Sequence, residues 1–484
     1  MVVITLRAAS CRTPHTANPA TAWDLVLRHA VVAHPLSPLV GRSVTIAIAG
    51  DRIDAIFEEA DSGEPLAAEW SRALESLDQD VRVVDVAGHW LLPGYIDAHV
   101  HFLDSAGLFT SPDDYDLRSV RGHDLVRAKI LADMPATMAR YLCAGITTAV
   151  GLGGASWETG VRDRLSDEPR GARLVTAGPF FANFPVGEFT LWTDEDPVLR
   201  QLRDVAEAEQ AVDALVAQGV DLAKIGIAPV PDFEASSFQP ILEAFVASAH
   251  ERGLRVAVHA EQLELAKLAL RAGVDVLAHT VVDRLVDQEF IELAVERDVV
   301  ITSGLSSFRS YADVLELKLA AQLSAIETRC GDPAAIASWE QLRNIPPEDR
   351  PETPAGIVWG SSDEATSILL ENTRRAVDAG IRLAVGTNGG QIGTLHGPGF
   401  HRELDWLTRS GLTADQIIVA ATTHGASVYG DAPARGSLEP GQLADLVLVE
   451  ADPRDDVRAL AAIGYVVRGG HLLDEDALVG ALSQ

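Results

Sequence analysis

Cysteine is scarce in this chain, with only Cys11, Cys143 and Cys330 among 484 residues. Three cysteines so widely spaced are expected to build no disulfide framework and no Cys-x-x-Cys metal site, and a reducing compartment is the natural reading. Positive charge is also short: 39 Lys and Arg stand against 70 Asp and Glu, a formal net charge of −31. Nucleic acid and anionic membrane surfaces both need a positive footprint, so neither is expected as a partner. Long apolar runs are missing as well. Met1 to Leu6 is too short for a signal peptide, and no stretch reaches the length that spans a bilayer. No internal repeat or low-complexity tract is present. What remains is an ordinary apolar fraction of 47% on a chain long enough for a large core and more than one domain. The expectation is a soluble, cytoplasmic globular protein.

The order of patterns along the chain suggests its organisation. Residues 1–22 read as a loose arm, and 59–80 as a polar, acidic surface segment. Short alternating runs such as Val44-Thr45-Ile46-Ala47-Ile48 fill 23–92, and similar runs return over 431–484, as in Ala444-Asp445-Leu446-Val447-Leu448-Val449. Between them, over 93–430, apolar strands alternate with amphipathic helices. The strands are expected at 95–102, 147–153, 173–178, 222–228, 255–260, 276–280, 299–303 and 383–387. Several of the helices stop at a glycine, among them Gly219, Gly253, Gly273 and Gly380. Strands and helices in that number and order predict an α/β fold, a (β/α)8 TIM barrel, with a small β-sandwich domain built from both chain ends. A Pro-rich, charged insertion over 306–363 carries no readable motif, and its length is that of a lid or binding element.

In such a barrel the chemistry sits where strands end at the C-terminal face. In Pro93-Gly94-Tyr95-Ile96-Asp97-Ala98-His99-Val100-His101, strand alternation puts His99 and His101 on one face, about 7 Å apart along the strand. Neutral imidazoles at that spacing can converge on one metal ion, although paired core histidines would look the same. Three more strand ends add Lys224, His259 and His279, and the eighth ends in Gly386-Thr387-Asn388-Gly389-Gly390. Burying all these groups without partners is costly, so together they point to a metal centre. A buried lysine loses its proton more readily than its ordinary value near 10.4 allows, and once neutral it can add carbon dioxide as a carbamate. The carbamate's two oxygens can bridge two cations, and such a pair activates water and polarises a carbonyl.

These motifs resemble the amidohydrolase superfamily, in its binuclear branch with a carboxylated lysine and its imidazolonepropionase-like group of ochratoxinase- and Xaa-Pro dipeptidase-like enzymes. The resemblance runs over about 24–475 and also rests on Ala144-Gly145-Ile146-Thr147-Thr148, on Leu395-His396-Gly397-Pro398 and on Gly436-Ser437-Leu438-Glu439-Pro440-Gly441. It implies two divalent ions, zinc above others: His99 and His101 on one, His259 and His279 on the other, and carboxylated Lys224 between them. It implies hydrolysis of an amide C–N bond, peptide-like or N-acyl, by metal-activated hydroxide, and a homo-oligomer.

The strand-eight residue of such enzymes is an aspartate that shuttles the proton, and here it is Asn388. A carboxamide cannot serve as a general base near neutral pH, so this form is expected to be impaired. Either an aspartate has been replaced, which the intact flanking glycines favour, or the natural chain is slow, uses another base, or only binds. A cyclic-amide hydrolase or deaminase is the enzymatic alternative, against which Lys224 argues. A catalytically silent metal-containing binding protein is the other. His396 and Phe180 are candidate substrate contacts, with Phe181 and Phe184 as further aromatic wall. Asp97 and Glu261 are expected to back the ligating imidazoles. His250 and His424 read as a surface and a structural residue.

Overall fold

The computed structural model describes residues 23–59, 81–111, 115–184, 191–193, 196–229, 235–430 and 434–482. The arm expected over 1–22, nearly all of the polar segment 59–80, and Cys11 lie outside the described residues.

Both chain ends meet in one sheet. Its strands β1 (Leu25–Val32), β2 (Ser43–Ala49), β3 (Arg52–Glu58), β4 (Arg82–Asp85) and β5 (Trp90–Pro93) come from the N-terminal side. Next along the chain, β6 (Tyr95–Val100), β7 (Ile146–Gly151) and β8 (Arg173–Thr176) form a parallel three-stranded sheet. There follow β9 (Phe180–Ala182), the small antiparallel pair β10 (Leu191–Thr193) and β11 (Asp196–Pro197), and then β12 (Leu199–Gln201). Strands β13 (Ala223–Gly226), β14 (Val256–His259), β15 (Val276–Ala278), β16 (Val300–Thr302) and β17 (Arg382–Ala384) join β9 and β12 in a seven-stranded parallel sheet. The chain returns to the first sheet with β18 (Leu446–Val449), β19 (Ile463–Arg468) and β20 (His471–Asp474), giving the order β20-β19-β18-β5-β1-β2-β3 with β4 beside β1.

Each of the eight expected barrel strands is found, shifted by a few residues. They appear as two parallel sheets, not as one uninterrupted ring. Backbone hydrogen bonds connect the two: Ala98 N–H donates to Val385 O at 2.8 Å and His101 N–H to Gly389 O at 2.7 Å on one side, and Asp221 N–H to Thr176 O at 2.9 Å on the other. Residues from strands of both sheets (Ile96, Ala98, Val150, Val175, Ala257, Val276, Val300, Ala384) share one apolar cluster. Their neighbours Val258, Leu277, Ile301 and Leu383 belong to the larger cluster made with the helices, as period-two strands require. Helices Val205–Gln218 and Leu263–Ala272 end as expected, at Gly219 and Gly273 in left-handed conformation.

Two expectations are corrected here. Cys143 and Cys330, 187 residues apart, are paired as a disulfide. The spacing of cysteines in sequence said nothing about their distance in space, and the argument for a reducing compartment falls with it. The bond ties helix His123–Cys143 to the 306–363 segment, which is a helical unit with its own core and not a featureless loop. Trp339 is buried there with Leu319, Leu342 and Ile345 against Leu103, Leu108 and Phe109, and its Nε1 donates to Ala106 O at 2.9 Å. Among the described residues no helix is long and apolar enough to cross a membrane.

Candidate metal centre

The residues gathered from separate strand ends come together. The His99 ring lies 5.0 Å from His101 and 4.5 Å from His279, centroid to centroid, and His279 lies 5.4 Å from His259. Register places Lys224 beside Ala257 and His259 between Gly226 and Ala278. His279 follows the last residue of β15 with a left-handed φ of 75°, and Asn388 follows β17 with a φ of 58°. Left-handed backbone is uncommon outside glycine, with asparagine and histidine among the residues that adopt it most readily, and it aims both side chains here.

Backbone contacts fix the rings. The Gly153 carbonyl can only accept, so His101 Nδ1 donates to it at 3.0 Å and Nε2 keeps its lone pair. His99 Nδ1 lies 3.3 Å from Thr302 Oγ1, which also accepts the His279 backbone N–H at 3.3 Å. Two glycines make room. A Cβ on Gly386 would sit 2.7 Å from His99 Cβ, and one on Gly304, itself at φ 75°, would sit 2.8 Å from His279 Nδ1. Replacing Gly304 with alanine should therefore turn the His279 ring aside and add backbone strain of about 1–3 kcal/mol. A melting curve and a zinc titration on that variant check both: lower stability together with weaker zinc binding is the expected outcome.

Electrostatics favour neutral ligands. Burial holds His99 and His279 well below the usual imidazole range and takes His101 to about 4 and His259 to about 3. A charged Lys224 would repel all four rings. Burial brings Lys224 itself down from 10.5 to about 7, against the pull of Glu261. Lys224 is thus the last of these nitrogens to lose its proton as pH rises. Zinc uptake should fall as pH drops through about 7 and not at the lower pH where the imidazoles titrate. An uptake profile centred near pH 4 would contradict that ordering.

The donor set fits divalent cations. His99 Nε2 is buried without a hydrogen-bond partner. Asn388 Oδ1 also lacks a hydrogen bond of good geometry, although the His101 ring senses this side chain. Among the described residues no hydrogen bond reaches the side chains of buried Lys224 or of half-buried His259 and Glu261. Leaving a buried group such as His99 Nε2 unpaired costs about 1–3 kcal/mol, so a cluster of donors at strand ends points to a ligand that satisfies them together. Imidazole and carboxylate donors suit zinc and its neighbours.

Other expected residues are placed differently. Asp97 does not back an imidazole: its carboxylate accepts from Thr387 Oγ1 at 2.7 Å and Thr387 N–H at 3.1 Å, fastening the end of strand eight to strand one. Glu261 makes no hydrogen bond to an imidazole among the described residues, and one ligand atom each from His259, Glu261 and His279 all lie within 4.8 Å of one another. His396 donates from Nε2 to Asp104 O and meets Tyr141 Oη at Nδ1, both at 2.9 Å, which leaves no ring nitrogen for a substrate. It lines a separate cavity with Phe102, Ile130 and Ala335. Phe180 is half-buried and packs over Gly153 and near Gly226, next to His101's anchor and Lys224's strand. Phe181 is core, 5.6 Å from Phe245, and Phe184 is half-buried. His424 Nδ1 donates to Leu383 O, and His250 pairs with Asp275 at the surface.

The Amidohydrolase family model matches residues 90–473, a span that includes every side chain of this cluster. The chain belongs to the amidohydrolase family. It is a hydrolase acting on amide C–N bonds. Ochratoxinase from Aspergillus niger is 23% identical over 407 residues, covering 79% of this chain and 75% of that protein. Among solved structures, a Xaa-Pro dipeptidase with methionine bound in its active site superposes with a TM-score of 0.68 at 22% identity, covering 93% of this chain and 99% of the other. A molinate hydrolase gives 0.67 at 17% identity, over 94% and 95%. These structural likenesses support a TIM-barrel-like α/β fold.

Proposed function

We propose that this amidohydrolase cleaves a linear amide, peptide-like or N-acyl, using a pair of divalent ions, zinc foremost, held by His99 and His101, by His259 and His279, and by a carbamate on Lys224. The main support is the convergence of four neutral imidazoles and a buried, easily deprotonated lysine in one cluster at the strand ends. A bound ion pair supplies Lewis acidity toward the carbonyl and brings the pKa of water from about 15.7 to about 7. The chain does the rest. Neutral Lys224 can add carbon dioxide and release a proton, the glycines at 304 and 386 leave the imidazoles room, and Phe180 offers an apolar edge to an acyl or side-chain group. Dipeptides and N-acyl amino acids are the first substrates to try, because ochratoxinase and a Xaa-Pro dipeptidase are among the relatives. Within the same reading, 93–430 closes as a (β/α)8 barrel, while 23–92 and 431–484 make the β-sandwich that adjoins it. The cluster shared by strands of both parallel sheets supports that closure.

Asn388 favours a second reading, a metal-holding protein that binds amides without turning them over. Metal-free protein reloaded with zinc, cobalt or manganese separates the two when assayed against N-acyl amino acids and dipeptides. The proposal expects slow, ion-dependent release of free amine that a chelator stops. Saturable binding with no release by any loaded form would favour the silent protein.

A further inference from the structure

We infer that Glu261 is a direct ligand of the ion held by His259 and His279, giving that half of the site the carboxylate that strand eight lacks at Asn388. The inference deepens the proposed function and rests on its metal pair.

Position comes first. Glu261 lies two residues beyond His259, past the end of β14, and its carboxylate oxygen shares a 4.8 Å neighbourhood with nitrogens of His259 and His279. A loop residue earns that place only if something holds the chain there. Here the Glu261 backbone carbonyl accepts from Val282 N–H at 2.8 Å, which joins the loops after β14 and β15. The segments that follow His259 and His279 are therefore fixed to each other through Glu261 itself.

Partners come second. Among the described residues the Glu261 carboxylate has no hydrogen bond, and its one charged influence is Lys224. Glu261 is half-buried, and a carboxylate turned into such a cluster with no hydrogen bond suits a cation. Across the site, His99 Nε2 is buried and unpartnered, an independent sign that a ligand completes the cluster. Two imidazoles and one glutamate are a recurrent ligand set for zinc, with a further position open to water or substrate.

Charge comes third. With Asn388 in place, two divalent cations would face four neutral imidazoles and a single anion, the Lys224 carbamate. A second carboxylate restores the balance that an aspartate on strand eight would have given. The local geometry leaves that role open: Asn388 is buried, with Nδ2 3.4 Å from Ser307 Oγ and N–H donating to His99 O at 2.8 Å, and its amide brings no charge to the cluster.

The test compares full-length parent, Glu261→Gln, Glu261→Asp and the double variant Glu261→Gln/Asn388→Asp by titration with cobalt(II) alone, followed through the ion's ligand-field spectrum and by metal content after dialysis. Circular dichroism confirms the fold of each. The expected result is a tenfold or greater loss of affinity at one site in Glu261→Gln, with an altered cobalt spectrum. Glu261→Asp should retain part of it, and the double variant should recover it. Glu261→Gln that matches the parent in affinity and spectrum overturns the inference while leaving the metal pair intact. A parent that takes up no cobalt overturns the metal pair as well.

Discussion

Replacing Lys224 with methionine should abolish measurable amide hydrolysis while making the metal-free protein more stable. The activity side follows from the proposed function: a carbamate on buried Lys224 would join the two halves of the cluster, and methionine cannot form one. Removing a residue that merely supports a ligand costs roughly 10- to 100-fold in affinity or rate, so loss of the bridge itself should exceed that range and take at least one of the two ions with it. The stability side follows from proton linkage. Lys224 is buried, has no ion-pair partner, and has its pKa lowered from 10.5 to about 7. A lysine whose folded pKa is depressed weakens folding wherever the unfolded chain holds the proton more tightly. That penalty is absent above about pH 10.5, grows as pH falls, and is complete below about 7. Metal-free Lys224→Met should therefore melt above metal-free parent at neutral pH, with the gap closing toward pH 10. Thermal melts across that range, read beside metal content and turnover, check the pair of effects. A variant that is both less stable and fully active would refute the assignment.

Changing Asn388 to aspartate should raise turnover by about 10² to 10⁴, the usual contribution of a placed general acid–base group. A carboxamide has no proton affinity near pH 7, whereas a carboxylate at this position can take a proton from water and pass it to the leaving nitrogen. The backbone is ready to receive it: aspartate tolerates the left-handed φ of 58° about as well as asparagine, and the flanking Thr387 is already fastened to Asp97. The gain should appear in kcat more than in KM, since proton transfer is demanded in the transition state and not on binding. Equal turnover in both forms would mean that another group moves the proton, or that no chemistry occurs.

Much of this was readable in the chain before any coordinates. Strand alternation, glycine helix stops and polar residues at strand ends located the eight strands and brought out His99, His101, Lys224, His259 and His279, because each signal is local. Glu261 was readable too, as it has the same parity as His259, but a charged residue just past a strand looks like any solvated loop carboxylate. Asp97 misled for the same reason: alternation puts it on a face with His99, yet the irregular pairing between β6 and β7 after Asp97 frees it to hold Thr387. Contacts between distant segments left no mark. Neither the Cys143–Cys330 bond nor the burial of Trp339 against the loop after strand one has any local pattern to announce it. His396 sits in a motif beside the site, and its commitment to Tyr141 and Asp104 is a matter of tertiary packing.

The most direct measurement is anomalous diffraction at the zinc edge from crystals of the zinc-loaded protein. Two peaks should lie among the imidazoles of His99, His101, His259 and His279, with density for a carbamate on Lys224 between them. Fully loaded crystals with no peak in that cluster, or with an unmodified Lys224 beside a single ion, would contradict the account.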